Sequence, residues 1–301
     1  MTMTSLPNFP CYLNGEITPL NEAKISVMDR GFIFGDGLYE VVPVYGGRLF
    51  RFAEHMARLE RSLKEMRIAN PLPRAEWEAI ARRLLKAQAE SIQADIAGLH
   101  QLVYIQITRG VAMRDHAMPE NITPTVFVMA NTVKIPTEAQ RAQGVACVSA
   151  DDFRWEKAHI KATSLLGAVF SRQISFDAGA TETVMFRNGF LSEAASSNVW
   201  LVKDGALVGV PKDNLVLEGI RFGLIEELCQ AQGIPFSLRR ISREEVLAAD
   251  ELLLSSATKE VLAITTLDGA AVGTGIGNGR PGPIYQKLYT AYQDAIGRTA
   301  A

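Results

Sequence analysis

Four dipeptides constrain the fold of this chain more than any other feature of its sequence. They are Asn14-Gly15, Asn188-Gly189, Asp204-Gly205 and Asp268-Gly269, and each stands between two short runs rich in strand-forming residues. Asparagine or aspartate followed by glycine suits the central positions of a tight hairpin turn, where both residues take positive φ. The pattern therefore predicts four β-hairpins, three of them in the second half of the chain.

Hydrophobic periodicity places helices beside these strands. Between residues 53 and 69, Met56, Leu59, Leu63 and Met66 recur at helical spacing. Further helices are predicted over 74–92, over most of 161–177 and over 219–232, and further strands over 38–45, 101–109, 125–130 and 145–149. This mixture of hairpins and attached helices indicates the α+β fold class.

A polar stretch that contains Pro136 divides the chain into two parts. We predict a small N-terminal α+β domain at residues 1–131, an interdomain linker at 132–143 and a larger C-terminal domain at 144–301. The glycine-rich tract 273–279 is not framed by a strand and a helix, and it is predicted to be a flexible loop. No internal repeat is visible.

Composition excludes several classes of protein. Lysine and arginine total 31 against 33 aspartate and glutamate residues, for a net charge of −2, so no nucleic-acid partner is expected. Three scattered cysteines, with no CxxC or HExxH spacing, argue against a zinc site and against disulfides. No secretion signal or membrane span is visible in the sequence, so we predict a cytoplasmic protein with no membrane partner.

Lys161 is the first candidate for chemistry, because it stands at the start of an apolar run that extends to Phe170. A lysine that is shielded from water has its charged form disfavoured, and its amine then becomes a nucleophile near neutral pH. The alternative is an ordinary surface lysine at a helix start, with its ammonium group in water. This window alone favours the alternative.

Two further segments carry unusual combinations of residues. Asp29-Arg30-Gly31 is followed by Phe34-Gly35-Asp36-Gly37 and then Tyr39-Glu40. A turn between strands accounts for the glycines but not for the tyrosine beside them. In the polar loop 110–121, Arg114 and His116 are spaced to clamp a carboxylate, and a solvated loop is the alternative.

Taken in order, the motifs resemble a known family. The set comprises the segment 29–40, His55 with Arg58, the segment 108–116, Ile160-Lys161 with the run to Ala168, and Glu193 with Ser196-Ser197-Asn198. It resembles the pyridoxal 5′-phosphate (PLP) enzymes of fold type IV and is most similar to the D-amino acid (D-alanine) aminotransferases. The resemblance spans about residues 12 to 265.

The resemblance implies a role for each matching residue. Lys161 would bind PLP covalently and move the substrate's α-proton, while Glu193 would hydrogen-bond the pyridinium nitrogen and keep it protonated. Arg58 would bind the cofactor phosphate, and Tyr39 would lie beside the reacting centre. Ser196 and Ser197 would line the cofactor, and Gly219-Ile220 would offer backbone N–H groups to the phosphate at a helix start.

The pair Arg114 and His116 indicates the subgroup. It is similar to the clamp with which D-amino acid aminotransferases hold the substrate α-carboxylate, together with a tyrosine, here Tyr39. The resemblance implies a small α/β sandwich domain, a larger pseudo-barrel domain, PLP in the cleft between them and a homodimer. The implied reaction is ping-pong transfer of the amino group of a D-amino acid to 2-oxoglutarate or pyruvate.

Two departures from the family pattern concern the phosphate. Arg221 and Ala257 stand where the family often has phosphate-binding threonines. Arg221 would supply a second cation, and Ser256 or Thr258 a hydroxyl. A branched-chain L-amino acid aminotransferase, a 4-amino-4-deoxychorismate lyase and a catalytically silent binding protein of the same fold stay open as alternatives.

Overall fold

The computed structural model describes residues 8–273 and 278–300, without the side chains of the last three. Contacts group the chain into two units. Unit 1 is the chain up to Lys134 together with Ile160–Ser164, and unit 2 is Ile135–His159 with Leu165–Thr299. The start of the chain, from which no secretion signal is predicted, and the centre of the predicted glycine-rich loop lie outside the described residues.

Unit 1 is built on a six-stranded antiparallel sheet. Its strands are β1 (Pro10–Leu13), β2 (Glu16–Pro19), β3 (Gly37–Tyr45), β4 (Arg48–Leu49), β5 (His100–Thr108) and β6 (Thr125–Thr132). They lie in the order β2-β1-β6-β5-β3-β4. Along the long strands, buried and partly exposed side chains alternate because one face of the sheet is buried. In β5, Val103, Ile105 and Ile107 are directed into the core.

Three α-helices and one short 3₁₀ helix accompany the sheet in the described part of unit 1. They are α1 (Arg30–Phe34), α2 (Phe52–Glu65), α3 (Arg74–Ser91) and the 3₁₀ helix Ile96–Gly98. The helices predicted at 53–69 and 74–92 are confirmed, because their apolar stripes, Met56 and Leu59 in α2 and Trp77 and Leu84 in α3, join the core against the sheet. The first predicted hairpin is also confirmed, with Asn14 at φ 50° and Gly15 at φ 101°.

Unit 2 is built on a nine-stranded mixed sheet. Its strands are β7 (Val145–Asp151), β8 (Glu182–Arg187), β9 (Phe190–Ala194), β10 (Asn198–Lys203), β11 (Ala206–Gly209), β12 (Phe236–Leu238), β13 (Glu251–Ser256), β14 (Glu260–Leu267) and β15 (Ala270–Ala271). The order is β12-β11-β10-β13-β14-β7-β8-β9, and β15 pairs with β14. The three predicted hairpins are confirmed, with Asn188, Asp204 and Asp268 at φ 50–51°.

The helices of unit 2 are α4 (Glu138–Gln143), α5 (Leu166–Asp177), α6 (Ile220–Gln232), α7 (Arg243–Leu247) and α8 (Pro283–Ala300). The predicted linker thus contains α4, which begins with a capping box formed by Thr137 and Gln140. The predicted domain boundaries stay a prediction. They assign Lys161 to the C-terminal part, whereas its contacts lie with unit 1.

The segment 161–177, predicted to be mostly helical, is helical from Leu166 to Asp177. Helix α5 begins at Leu166, and Lys161 lies before it in a segment without helical structure. The reason is tertiary pairing, because Ala162 forms a β-bridge with Leu38 at the start of β3. Helix propensity is a weak preference that such pairing overrides.

Within residues 8–273 and 278–300, no helix combines the length and apolar character needed to cross a membrane. The predicted cytoplasmic location stays a prediction.

Candidate functional site

The backbone of Lys161 is fixed against β3. Its carbonyl oxygen accepts the N–H of Tyr39 at 2.9 Å, and the N–H of Thr163 donates to the carbonyl of Gly37 at 2.9 Å. A side chain on Gly37 would bring its Cβ within 2.8 Å of the Ile107 carbonyl oxygen, so only glycine lets β3 lie this close to β5 and to the lysine segment. The glycines of the Phe34–Gly37 motif therefore serve the placement of the lysine.

The amine of Lys161 lies over an aromatic ring. Its Nζ is 4.0 Å from the centroid of the Tyr39 ring, and its side chain is half-buried. The Tyr104 ring lies 5.8 Å from that of Tyr39, and its hydroxyl donates to Gln106 at 2.6 Å. Burial, with Tyr39 nearby, raises the pKa of Tyr104 to about 12. The lysine thus lies over the ring of Tyr39, whose neighbour Tyr104 has a phenol that is neutral at physiological pH.

Arg58 and His55 converge on Glu40. Arg58 donates to the two carboxylate oxygens of Glu40 at 2.7 and 2.8 Å, and Nδ1 of His55 lies 2.7 Å from one of them. All three side chains are buried. Burial alone would raise the pKa of Glu40, but Arg58 and His55 lower it to about 2. The predicted phosphate arginine is therefore fixed by a permanently ionised carboxylate.

The predicted clamp residues surround one aromatic ring, that of Phe34 in α1. The guanidinium carbon of Arg114 is 5.4 Å from the ring centroid, and the His116 ring is 5.5 Å from it. Both clamp side chains are exposed. Arg30 lies over the same ring at 4.8 Å and donates to the backbone carbonyl of Asp115 at 2.6 Å. The structure thus brings together two motifs that are about eighty residues apart in the sequence.

Asp36 holds the base of this loop in place. It accepts from Arg30 at 2.7 Å and from Arg109 at 2.8 and 3.0 Å. Burial opposes ionisation of Asp36, but the two guanidinium groups outweigh it and lower its pKa. Sequence reasoning assigned no role to Asp36 or Arg109 beyond their membership of two motifs. Their ion pair explains why the two motifs occur together.

Glu193, the predicted partner of the cofactor ring, is buried at the end of β9. One oxygen accepts from Arg154 at 2.5 Å, and the other accepts from the N–H of Leu217 at 3.1 Å and from Asn198 at 3.4 Å. Burial raises the pKa of Glu193 to about 7, although Arg154 and the Leu217 N–H act to lower it. Arg154 has no assigned role in the sequence analysis, because no local pattern marks a contact 39 residues away.

Ser196 and Ser197 form a polar cluster in unit 2 with two residues that sequence reasoning missed. Both hydroxyls donate to Glu182, at 2.5 and 3.0 Å. The ammonium group of Lys259 lies 2.8 Å from Glu182 and 2.8 Å from the Ser196 hydroxyl. Lys259 thereby ties the turn of Ser196 and Ser197 to the turn that contains the predicted Ser256 and Ala257.

The predicted phosphate residues lie at the start of α6. Gly219 is its N-cap and supplies no side-chain cap, so the first N–H groups of a 13-residue helix have no capping oxygen from that residue. A Cβ on Gly219 would overlap the side-chain oxygen of Asn198. Arg221 donates to the Ala257 carbonyl at 3.4 Å, so the two departures from the family pattern are neighbours.

Comparisons with known proteins agree with this description. Residues 37–267 match the Amino-transferase class IV family. The D-alanine aminotransferase of Bacillus licheniformis is 35% identical over 283 residues, covering 94% of this chain and 95% of that protein. The D-alanine aminotransferase of Staphylococcus haemolyticus is 34% identical over 286 residues, covering 95% and 97%.

Solved structures show the same fold. The branched-chain amino acid aminotransferase of Escherichia coli gives a TM-score of 0.82 at 24% identity, covering 95% of this chain and 94% of that one. The branched-chain aminotransferase of the archaeon Thermoproteus uzoniensis, solved with norvaline, gives 0.81 at 22% identity, covering 96% and 95%. At these identities the likeness concerns the fold alone.

Fold and sequence together define the class of protein: an α+β enzyme of fold type IV, as the sequence predicted. The chain belongs to the class IV aminotransferases. As an aminotransferase, it acts on an amino acid and a 2-oxo acid.

The residues present fit the cofactor of this class. A half-buried lysine amine is presented by a fixed backbone, a buried carboxyl group is available for a ring nitrogen, and a helix begins without a side-chain cap. These are the covalent, ring-binding and phosphate-binding functions that PLP requires.

Proposed function

We propose that the chain is a PLP-dependent transaminase that moves the amino group of a D-amino acid, such as D-alanine, to 2-oxoglutarate or pyruvate. The relatives called D-alanine aminotransferases support this reading, at 35% and 34% identity over nearly the whole chain. So does the loop that carries Arg114 and His116. The observation that carries the proposal is the Lys161 amine, which is held 4.0 Å from the Tyr39 ring by a backbone that is bonded to β3.

In this proposal Lys161 has two tasks. Its amine would hold the cofactor covalently, and in its free form the amine would move the α-proton of the substrate. PLP, when bound, withdraws electrons from the substrate α-carbon and so stabilises the charge that develops there. Glu193 would hold the ring nitrogen, and Tyr39 would orient the lysine amine and the substrate.

Arg114 and His116 bind the substrate α-carboxylate, with Tyr39 as the third member of the clamp. A guanidinium group forms two parallel hydrogen bonds with a carboxylate, which fixes its orientation as well as its position. The clamp thereby determines which face of the α-carbon meets Lys161, and stereochemistry depends on this loop.

The phosphate is assigned to Arg58, to the N–H groups of Gly219 and Ile220 and to the turn of Ser256 and Ala257. Arg221 supplies the positive charge that compensates for two missing threonine hydroxyls. If Arg221→Ala leaves PLP affinity unchanged while Arg58→Ala abolishes it, this assignment of Arg221 is wrong. Ser196 and Ser197 line the cofactor in the same proposal.

A homodimer is part of the proposal. Each unit exposes large apolar side chains, with Met113 84% and Phe32 69% exposed in unit 1 and Leu166 68% exposed in unit 2. Contiguous exposed apolar surface is typical of an interface between subunits, and Leu166, Val169 and Phe170, one helical turn apart in α5, are each more than half exposed. Light scattering of the purified protein tests the dimer, and a monomeric mass contradicts it.

The decisive test of the reaction is a panel of D- and L-amino acids in the first half-reaction, followed by absorbance of the bound cofactor. We expect D-alanine to convert the cofactor to its amine form and L-leucine to leave it unchanged. Conversion by L-leucine alone indicates a branched-chain enzyme, and pyruvate release from 4-amino-4-deoxychorismate indicates a lyase. A protein without a Lys161-dependent cofactor band is a binding protein.

A further inference from the structure

Arg154 connects Glu193 to a row of alternating charges in unit 2. Its Nε and Nη2 donate to the two oxygens of Asp152, both at 2.9 Å, while Nη1 donates to Glu193 at 2.5 Å. Asp152 also accepts from the Ser192 hydroxyl at 2.8 Å and lies 3.4 Å from Arg187. The fork to Asp152 fixes the plane of the guanidinium group, so its third nitrogen can meet only one position of the Glu193 carboxylate.

The fold reserves space for this arginine. A Cβ on Gly167, in the first turn of α5, would come within 2.9 Å of the Arg154 Cγ. Gly167 belongs to the apolar run after Lys161, and the sequence alone offers no structural explanation for a glycine there. A glycine at this position lets α5 pass directly over the arginine side chain.

The remaining oxygen of Glu193 is oriented as well. It accepts from the Leu217 N–H at 3.1 Å and from Asn198 at 3.4 Å. The charged groups that act on Glu193 are Arg154 and, one step further, Asp152, whose second cation is Arg187. The carboxylate is thus held at both oxygens, with a single cation in contact with it among the residues described.

Resting on the role proposed above for Glu193, we propose that Arg154 is the positioning residue that keeps Glu193 ionised and thereby keeps the proton of the acid–pyridine pair on the cofactor ring. A buried carboxyl group and a pyridine nitrogen that face each other share one proton. The proton lies either on the nitrogen, opposite a carboxylate, or on the carboxyl group, opposite a neutral ring. A guanidinium group bonded to the acid stabilises the first arrangement only.

Burial makes this assistance necessary. It raises the pKa of Glu193 to about 7 even with Arg154 in place, so loss of the cation would leave the acid protonated at neutral pH. A neutral ring withdraws electrons from the substrate less strongly, and the first half-reaction then slows. Each pKa unit corresponds to about a tenfold change in the proton equilibrium.

The test is NMR of the holoenzyme reconstituted with PLP that carries an isotope-labelled ring nitrogen, over a range of pH. We compare the unmodified protein with Arg154→Gln, Arg154→Lys, Arg187→Gln and Glu193→Gln. Glutamine at 154 keeps hydrogen-bonding capacity without charge, and lysine keeps the charge without the fork. Arg187→Gln is the matched control, because it removes a cation from Asp152 and none from Glu193.

We expect a protonated ring nitrogen in the unmodified protein, in Arg154→Lys and in Arg187→Gln. We expect a largely unprotonated one at neutral pH in Arg154→Gln and Glu193→Gln, with a first half-reaction at least about tenfold slower. A ring nitrogen that stays protonated in Arg154→Gln but not in Glu193→Gln overturns this inference alone. A nitrogen unaffected by Glu193→Gln overturns the role of Glu193 itself. If Arg154→Gln does not bind PLP, an unprotonated nitrogen in Arg154→Lys overturns the inference.

Discussion

Two buried glutamate–arginine pairs, one in each unit, have opposite electrostatic outcomes. Glu40 receives two hydrogen bonds from Arg58 and one from His55, and its pKa falls to about 2 against the effect of burial. Glu193 accepts one hydrogen bond from Arg154, whose guanidinium group also donates to Asp152. Burial raises the pKa of Glu193 to about 7. The number of charged donors thus decides whether a buried acid is permanently ionised or able to share a proton.

The difference matches two different tasks. Glu40 serves structure, because it fixes Arg58 and balances a buried cation at any pH well above about 2. Glu193 is suited to chemistry, because a carboxyl group with a pKa near 7 can share its proton with a base that it faces. The same two residue types therefore make a structural anchor in unit 1 and a titratable group in unit 2.

The largest effect on stability is expected at the anchor. Glu40→Gln removes the charge that balances Arg58, and an uncompensated buried cation costs about 3–5 kcal/mol. The free energy of unfolding of the apoprotein, from urea titration, measures this. Glu78→Gln is the control, because it breaks the exposed pair with Arg82, for which less than about 1 kcal/mol is expected. Equal losses in the two variants would refute the structural role of Glu40.

The next largest effect is expected at Glu193, on the rate of the first half-reaction. Glu193→Gln should slow the first half-reaction by about 10²-fold, since the ring nitrogen loses its acidic partner. The free energy of unfolding should fall less than in Glu40→Gln, because Arg154 keeps its fork to Asp152. Stopped-flow absorbance and urea titration of the same samples check both statements. A half-reaction at nearly the normal rate would remove Glu193 from the mechanism.

A smaller effect is expected at the substrate clamp, where Phe34 supports Arg114 and His116. The cation–π contact with Arg114 contributes about 0.5–1 kcal/mol at an exposed site, and the ring pair with His116 a similar amount. Phe34→Leu should therefore raise the KM for D-alanine by about 5- to 30-fold with little change in kcat. Phe34→Tyr, which keeps the ring, serves as the control and should behave like the unmodified enzyme. An unchanged KM in Phe34→Leu shows that the ring does not position the clamp.

The most gradual effect is the change of stability with pH. The folded-state pKa of Glu193, about 7, lies above the unfolded value of 4.5, so the folded apoprotein binds more protons between these values. The stability that this group contributes is complete below about pH 4.5 and is lost as pH rises through about 7. The slope is at most about 1.4 kcal/mol per pH unit. Urea titrations of the unmodified protein should show this loss relative to Glu193→Gln, and parallel profiles would contradict it.

The stability that Glu40 contributes depends on pH in the opposite direction. Its folded-state pKa, about 2, lies below 4.5, so its contribution is complete above about pH 4.5 and is lost as pH falls through about 2. Near neutral pH, Glu40 adds no slope to the free energy of unfolding, so the pH dependence due to Glu193 can be measured there.

Local features of the sequence predicted much of the fold. The Asn-Gly and Asp-Gly turns are confirmed because their backbone angles depend on two adjacent residues alone. Helices α2 and α3 are confirmed because their apolar spacing is regular. The segment 161–177 is mostly helical, as predicted, but its start at Leu166 was not predicted, since the pairing of Ala162 with Leu38 joins segments distant in the sequence. No helix was predicted at the position of α8, although the buried residues Ile284, Leu288 and Tyr292 recur there at helical spacing.

In the candidate site, too, local motifs were predictable and long-range contacts were not. A resemblance in motif order indicated Lys161, Glu193 and the clamp loop, which are residues that could contact ligands. It did not indicate Arg154, Asp152, Glu182 or Lys259, which contact other side chains 39 to 77 positions away along the chain. Such supporting residues leave no periodic or adjacent signal, so only the fold reveals them.

The most direct test of the account is to locate the covalent attachment of the cofactor. The holoenzyme is reduced with borohydride, digested, and its peptides are mapped by mass spectrometry. We predict that a single phosphopyridoxyl group is found on Lys161. A label on any other lysine, such as Lys259, or the absence of a label would contradict the proposal that Lys161 is the reactive amine.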